Sequence, residues 1–171
     1  MKRNTKITAI VPGILALAVG VLAWLNAGNI EEKKAFQEGA TFLVSTGNVQ
    51  HLISMDDIMK IRPRAIIANH RSGGQTRERQ FTAVSLKSLL DHLGADYSSA
   101  RNIVFTAADG YSSAVPLAEA LDEDNCLIVF EEAGVALGTR ESGGEGPYMM
   151  ILAKDQFSQR WVKFLLEIRL N

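Results

Sequence analysis

The stretch IIANHRSGG, Ile66 to Gly74, ends an apolar run in an imidazole, a guanidinium and two glycines. Side chains that bind or transfer protons cluster where a strand meets solvent, because a rigid sheet positions a loop that is free to vary. Two other loops share this mix of glycine and charge: Ala108–Ser113, carrying Asp109 and Tyr111, and Arg140–Tyr148, which begins and ends on candidate ligand-contacting residues. The bland alternative for all three is that their glycines only make turns at positive φ. Familiar catalytic signatures are missing. SGGEGPY lacks the lysine and the following helix of a phosphate-binding loop. The chain also has no nucleophile elbow, no paired-cysteine zinc motif and no HExxH. His51, His70 and His92 are far apart in sequence, with His92 at the solvent edge of a leucine-faced helix. Cys126 is the only cysteine, so no intramolecular disulfide forms, and its setting in NCLIVF suits a buried, inert thiol. The acidic run Asp122–Asp124 reads as a solvated helix end rather than a calcium loop.

The elements that must carry these loops are legible from periodicity. Ser54-Met-Asp-Asp57 is a capping box opening a short helix that stops before Pro63. Arg64–Ala68 and Arg77–Ala83 read as a hairpin closed by Ser-Gly-Gly. Ser85 caps a helix with Leu86, Leu89, Leu90 and Leu93 on one face and Gly94 at its end. Strands follow at Asn102–Ala107, Tyr111–Val115, Cys126–Glu131 and Tyr148–Ala153, with Pro116 opening a short helix. Two further strands are expected at Thr41–Ser45 and Val49–Ile53. In VKFLLEIRL, Val162, Phe164, Leu166, Ile168 and Leu170 alternate with other residues, predicting a strand with one buried face. Strands outnumber helices and no βαβ repeat is present. The predicted class is therefore α+β, with a mixed, mostly antiparallel sheet and short helices.

Composition bounds the rest. The chain has 171 residues, 47% hydrophobic and 22% charged, enough for one domain and a tail. A formal charge of −1 argues against nucleic acid as a partner. The average hides a local asymmetry: Lys2, Arg3 and Lys6 precede the first acid, leaving 15 basic against 19 acidic side chains beyond them. That basic tip precedes Ile7–Leu25, 19 uncharged residues, long enough to cross a bilayer as a helix. The positive-inside rule then puts the following domain outside the cytoplasm. A cleaved signal peptide is the rival reading, with Leu25-Asn26-Ala27 as a poor cleavage site. The expected organisation is an anchor or signal segment at 1–28, a linker at 29–40 and a domain at 41–171.

Five segments in order, VSLKSLLDHLG, IVFTAADGYSSAVPLAEAL, LIVFEEAGVALG, GGEGPYMMIL and RWVKFLLEIRL, resemble the molybdopterin-binding oxidoreductase domain of the sulfite-oxidase type over roughly Thr41–Asn171. The resemblance implies that fold and a molybdopterin cofactor. It also implies a cysteine thiolate on molybdenum at the end of the strand that here reads RAIIA. The matching position falls near Asn69 or His70, and neither is a thiolate; Cys126 starts a strand two elements later. The family's phosphate contacts match Ser158-Gln-Arg160-Trp-Val-Lys163, where Arg160 and Lys163 either hold a phosphate or stand as ordinary solvent-facing cations. The full set of candidate cofactor-binding residues is Asn69, His70, Arg71, Asp109, Tyr111, Arg140, Tyr148, Ser158, Arg160 and Lys163. The expected function is a membrane-tethered, extracytoplasmic domain, non-catalytic or atypical, that binds a small anionic or pterin-like ligand or a partner protein. The alternative is a working oxidoreductase component that passes electrons to a membrane partner.

Overall fold

The computed structural model describes residues 20–21, 39–47 and 49–171. The expected anchor at 1–28 lies outside the described residues but for Gly20 and Val21, as does the expected linker but for Gly39 and Ala40. Among the described residues no helix is long and apolar enough to cross a membrane.

Among the described residues two sheets carry the fold. The first has the order β2-β1-β10-β5-β6, with β1 at Phe42–Thr46, β2 at Val49–Ile53, β5 at Asn102–Ala107, β6 at Ser112–Pro116 and β10 at Leu165–Leu170. Its β1–β10 pairing is parallel and the other pairings are antiparallel. The second sheet runs β3-β4-β7-β8 and is antiparallel throughout, with β3 at Arg64–Ser72, β4 at Gln75–Ser85, β7 at Cys126–Glu132 and β8 at Val135–Ala136. Strand β9, Met149–Leu152, also pairs with β7. The helices are short: α1 at Met55–Lys60, α2 at Leu86–His92 and α3 at Leu117–Ala120. This is the mixed, mostly antiparallel α+β class that the periodicity predicts.

Why these segments take these forms is mostly local. Ser54 and Asp57 close the capping box, with the Ser54 amide donating to Asp57 Oδ2 at 3.1 Å and the Asp57 amide to Ser54 Oγ at 3.4 Å. Ser85 Oγ accepts from the Ser88 amide at 3.1 Å and so caps α2, whose Leu86, Leu89 and Leu90 are fully buried. Sheet two is sandwiched between two hydrophobic clusters. Cys126, Ile128 and Phe130 enter one, while Leu127 and Val129 enter the other. A strand buried on both faces has no polar face to show, which explains the unbroken CLIVF run.

Two strand expectations need correction. The β3–β4 hairpin reaches further than the apolar residues suggest. It pairs from Arg64↔Ala83 out to Ser72↔Gln75, and turns through Gly73 and Gly74 at φ +58° and +79°. A two-residue turn with both central residues left-handed matches the strand twist, and only glycine adopts it freely. The alternation expected from Val162 to Leu170 also fails at its start. Phe164 has φ +52°, and a register shift falls between Leu165 and Glu167. An extra residue in one strand inverts the phase. Leu165 is therefore buried and Leu166 is 52% exposed, while Val162 bridges Met150 instead of extending β10.

Candidate functional site

Antiparallel pairing decides which hairpin residues face inward. His70 pairs with Arg77, Ala68 with Arg79 and Ile66 with Phe81, so these six share one sheet face. Ala68 and Phe81 lie in the second hydrophobic cluster, which marks that face as the inner one. Asn69, adjacent to His70, points to the opposite face and is exposed. Of the two residues matched to the metal-ligand position, only His70 can therefore meet the interior.

The His70 imidazole lies against the Trp161 indole, centroids 5.2 Å apart, and Phe81 packs edge-on to the same indole at 6.1 Å. Trp161 Nε1 donates to the Leu152 carbonyl at 3.2 Å, which fixes the indole. Beside His70 is a cleft of about 450 Å³, walled by the hairpin end from His70 to Thr76 and by Phe157, Ser158 and Gln159. The two walls are tied together, because the Arg71 amide donates to Ser158 Oγ at 2.8 Å. Burial, and then the charge of Arg79, hold the His70 pKa below its ordinary value, so the ring favours its neutral form.

The second and third loops converge on the same end of the sheet. Tyr111 Oη donates to the Gln159 carbonyl at 2.7 Å. Arg140 donates to Asp109 Oδ2 at 3.3 Å and stacks over the Phe164 ring at 4.8 Å. The Phe164 amide donates to the Glu145 carbonyl at 2.9 Å, and the Ala108 amide to the Phe164 carbonyl at 2.9 Å. Lys163 Nζ meets Glu145 Oε1 at 2.6 Å.

Glu145 holds the centre of an ion cluster. Its Oε2 accepts from Arg79 at 2.6 Å, and Arg79 makes a two-pronged pair with Glu132 at 2.7 and 2.6 Å. Arg79 and Glu145 side chains are only 14% and 19% exposed, so their attraction is weakly screened. Burial pushes the Glu145 carboxyl up, but hydrogen bonds from Arg79 and Lys163 outweigh it and keep the group below the ordinary carboxylate range. Arg79, Glu132, Glu145 and the chain at Val135–Leu137 line a second cavity of about 310 Å³.

Two candidates stand apart from this end. Tyr148 is not at the rim: it is fully buried, edge-on to Phe42 at 4.8 Å, and its hydroxyl donates to the Ala40 carbonyl at 3.1 Å. Arg160 turns away to Glu119 on α3, 2.7 Å, and to Asp155, 2.8 Å from Nε. Arg71 and Ser158 join directly beside His70, and Tyr111 reaches Gln159 next to Ser158, whereas Asp109, Arg140 and Lys163 form a separate group through Phe164 and Glu145.

The donor set does not fit a molybdenum centre held by the protein. No residue of β3 is cysteine, so no shift of the match by a few positions supplies a thiolate. Cys126 is fully buried in the first cluster, and burial raises its thiol pKa far from the thiolate form. Among the described residues no group of three or more histidine, cysteine or acidic side chains can hold a metal. Two of the expected phosphate cations, Arg160 and Lys163, already carry acid partners. Of the cations on the hairpin end, Arg71 and Arg77 enter no ion pair among the described residues, and Arg71 lines the cleft.

Sequence reasoning missed Arg79, Glu132, Glu145, Phe157, Gln159 and Trp161. A usable signal existed for two of them. Arg79 shares strand parity with Arg77, and Glu145 is the one acid enclosed by glycines in SGGEGPY. Nothing local marks the remaining four as neighbours of His70.

Comparison with known proteins agrees with the architecture. The family described as the oxidoreductase molybdopterin binding domain matches residues 37–171. The crystal structure of the sulfane dehydrogenase SoxCD from Paracoccus pantotrophus superimposes with a TM-score of 0.65 at 13% identity. The match covers 78% of this chain and 38% of that one, and at this identity the likeness is one of fold. No curated protein matches the sequence significantly.

Proposed function

This chain belongs to the oxidoreductase molybdopterin binding domain family, and from that membership we propose that it is an atypical, non-catalytic member. It binds a small anionic ligand in the cleft between the β3–β4 hairpin and Phe157–Gln159. The observation that carries this reading is the donor set facing that cleft. Where the family resemblance implies a thiolate, β3 offers a neutral-leaning imidazole packed at a tilt against an indole. A lone imidazole does not replace soft thiolate ligation. What the cleft does offer is recognition chemistry: Arg71, Ser72, Thr76 and Ser158 line it, with the exposed Phe157 beside them. An anion gains charge-assisted hydrogen bonds from such a set.

The proposal extends to placement. Residues 1–28 tether the protein to the membrane and put the domain at 41–171 outside the cytoplasm, supported by the uncharged 19-residue run and the basic tip before it. Protein purified from its native host is assayed for molybdenum and for pterin fluorescence. The expected result is no stoichiometric molybdenum. Stoichiometric metal together with pterin overturns the proposal in favour of an oxidoreductase component that delivers electrons to a membrane partner. For the tether, membrane fractionation of the full chain is compared with a chain starting at residue 41; equal solubility of the two sinks it.

A further inference from the structure

The second cavity, lined by Arg79, Glu132 and Glu145, differs from the hairpin cleft in one respect: the cation on its wall, Arg79, is already paired with Glu132 and Glu145. Glu145 bridges Arg79 and Lys163 with one oxygen on each, both at 2.6 Å. That is the geometry a small carboxylate or similar oxyanion takes between two cations. The charges explain what the arrangement tolerates. With Arg79, Lys163, Glu132 and Glu145 all ionised the cluster is neutral, and removing the Glu145 charge leaves it one positive charge in excess. An anion arriving while Glu145 is in place adds an uncompensated negative charge to a poorly screened setting.

The loop that carries Glu145 is built to keep it there. The Gly144 amide donates to the Thr139 carbonyl at 2.7 Å, Glu145 to Leu137 at 3.3 Å and Gly146 to Gly138 at 2.9 Å. A Cβ on Gly146 would lie 2.6 Å from Phe164 Cα, and one on Gly144 would lie within 2.5 Å of the Gly138 backbone. Neither approach is open to a residue with a side chain.

We infer that Glu145 is a specificity-determining residue: an internal counter-anion that bars small monoanions from the Arg79–Lys163 pair and so confines anion recognition to Arg71 in the neighbouring cleft. The inference rests on the anion-binding reading of that cleft, but its test does not. Formate is titrated against the full chain and against Glu145→Ser, whose shorter side chain clears the position between Arg79 and Lys163, following thermal stability and the chemical shifts of the amides flanking Lys163. Formate is expected to bind Glu145→Ser on the order of tenfold or more tighter than the parent. Adding Lys163→Ala to that variant should abolish the gain. A merely structural role for Glu145 would not raise affinity for an added anion. A folded Glu145→Ser protein with unchanged formate affinity overturns the inference, and so does a gain that survives Lys163→Ala. If Glu145→Ser does not fold, Glu145→Ala is titrated under the same criteria. Arg71→Ala is the separating control: it lowers ligand affinity at the cleft if the proposed function holds, and it leaves the formate gain intact either way.

Discussion

The His70 imidazole and the Trp161 indole are packed ring against ring, 5.2 Å between centroids and inclined by 56°, at the inner wall of the hairpin cleft. A titratable ring is thereby placed on an apolar one, with Arg77, Arg79, Lys163 and Glu145 as the surrounding charges. The first consequence concerns pH. Burial and the neighbouring cations lower the folded-state pKa of His70 from its ordinary 6.5, so between the two values the unfolded chain binds more protons. His70 thus contributes stability that is fully present above pH 6.5 and is lost as pH falls through the lowered folded value. In His70→Gln, the denaturant midpoint should respond less to acidification starting from pH 6.5. NMR titration of the parent should place the His70 midpoint below that pH; a midpoint at or above it contradicts the argument.

Trp161 is 5% exposed and carries both His70 and Phe81. Trp161→Ala should cost about 3–5 kcal/mol by denaturant unfolding, as expected for loss of a large buried aromatic. Trp161→Phe should cost distinctly less, because it keeps the wall and loses the hydrogen bond to Leu152.

Gly144 and Gly146 are held against backbone rather than flexible side chains. Alanine at either position should destabilise by about 1–3 kcal/mol or more, since backbone must shift to admit the methyl group. Gly146 sits at φ +101°, which adds strain that Gly144 lacks. Both variants are expected to melt below the parent, Gly144→Ala because its Cβ runs into the Leu137 carbonyl and Gly146→Ala because strain adds to its approach to Phe164.

Cys126 is fully buried and its thiol is held in the protonated form. Cys126→Ser should lower stability by about 1–3 kcal/mol, the cost of a buried hydroxyl left without a partner. Ligand binding at the cleft should be unchanged. The native thiol should resist alkylation until the protein unfolds; rapid labelling of folded protein would contradict its placement.

Arg160 is expected to act on stability rather than on ligand affinity, because Glu119 and Asp155 already engage its guanidinium. Arg160→Ala should cost about 1 kcal/mol at the partly exposed pair. A selective drop in anion affinity, with the melting temperature unchanged, would return Arg160 to the binding site.

The sequence by itself determined whatever is written between near neighbours. The Ser54–Asp57 capping box, the leucine face of α2, the Gly73–Gly74 turn and the strand at Asn102–Ala107 were all legible, because caps, helix periods and turns depend on residues a few positions apart. The missing thiolate was legible too, since β3 contains no cysteine under any alignment. Tertiary structure alone decided which of Asn69 and His70 faces inward, because that depends on which face of sheet two is covered. It decided that Tyr148 belongs to the core and that the bulge after Leu165 inverts the expected alternation. It also decided which cations are free. Arg79 and Glu145 are 66 residues apart and Arg160 and Glu119 are 41 apart. Charge pairing at such separations is fixed by strand register and loop closure, and no local pattern in the chain encodes it.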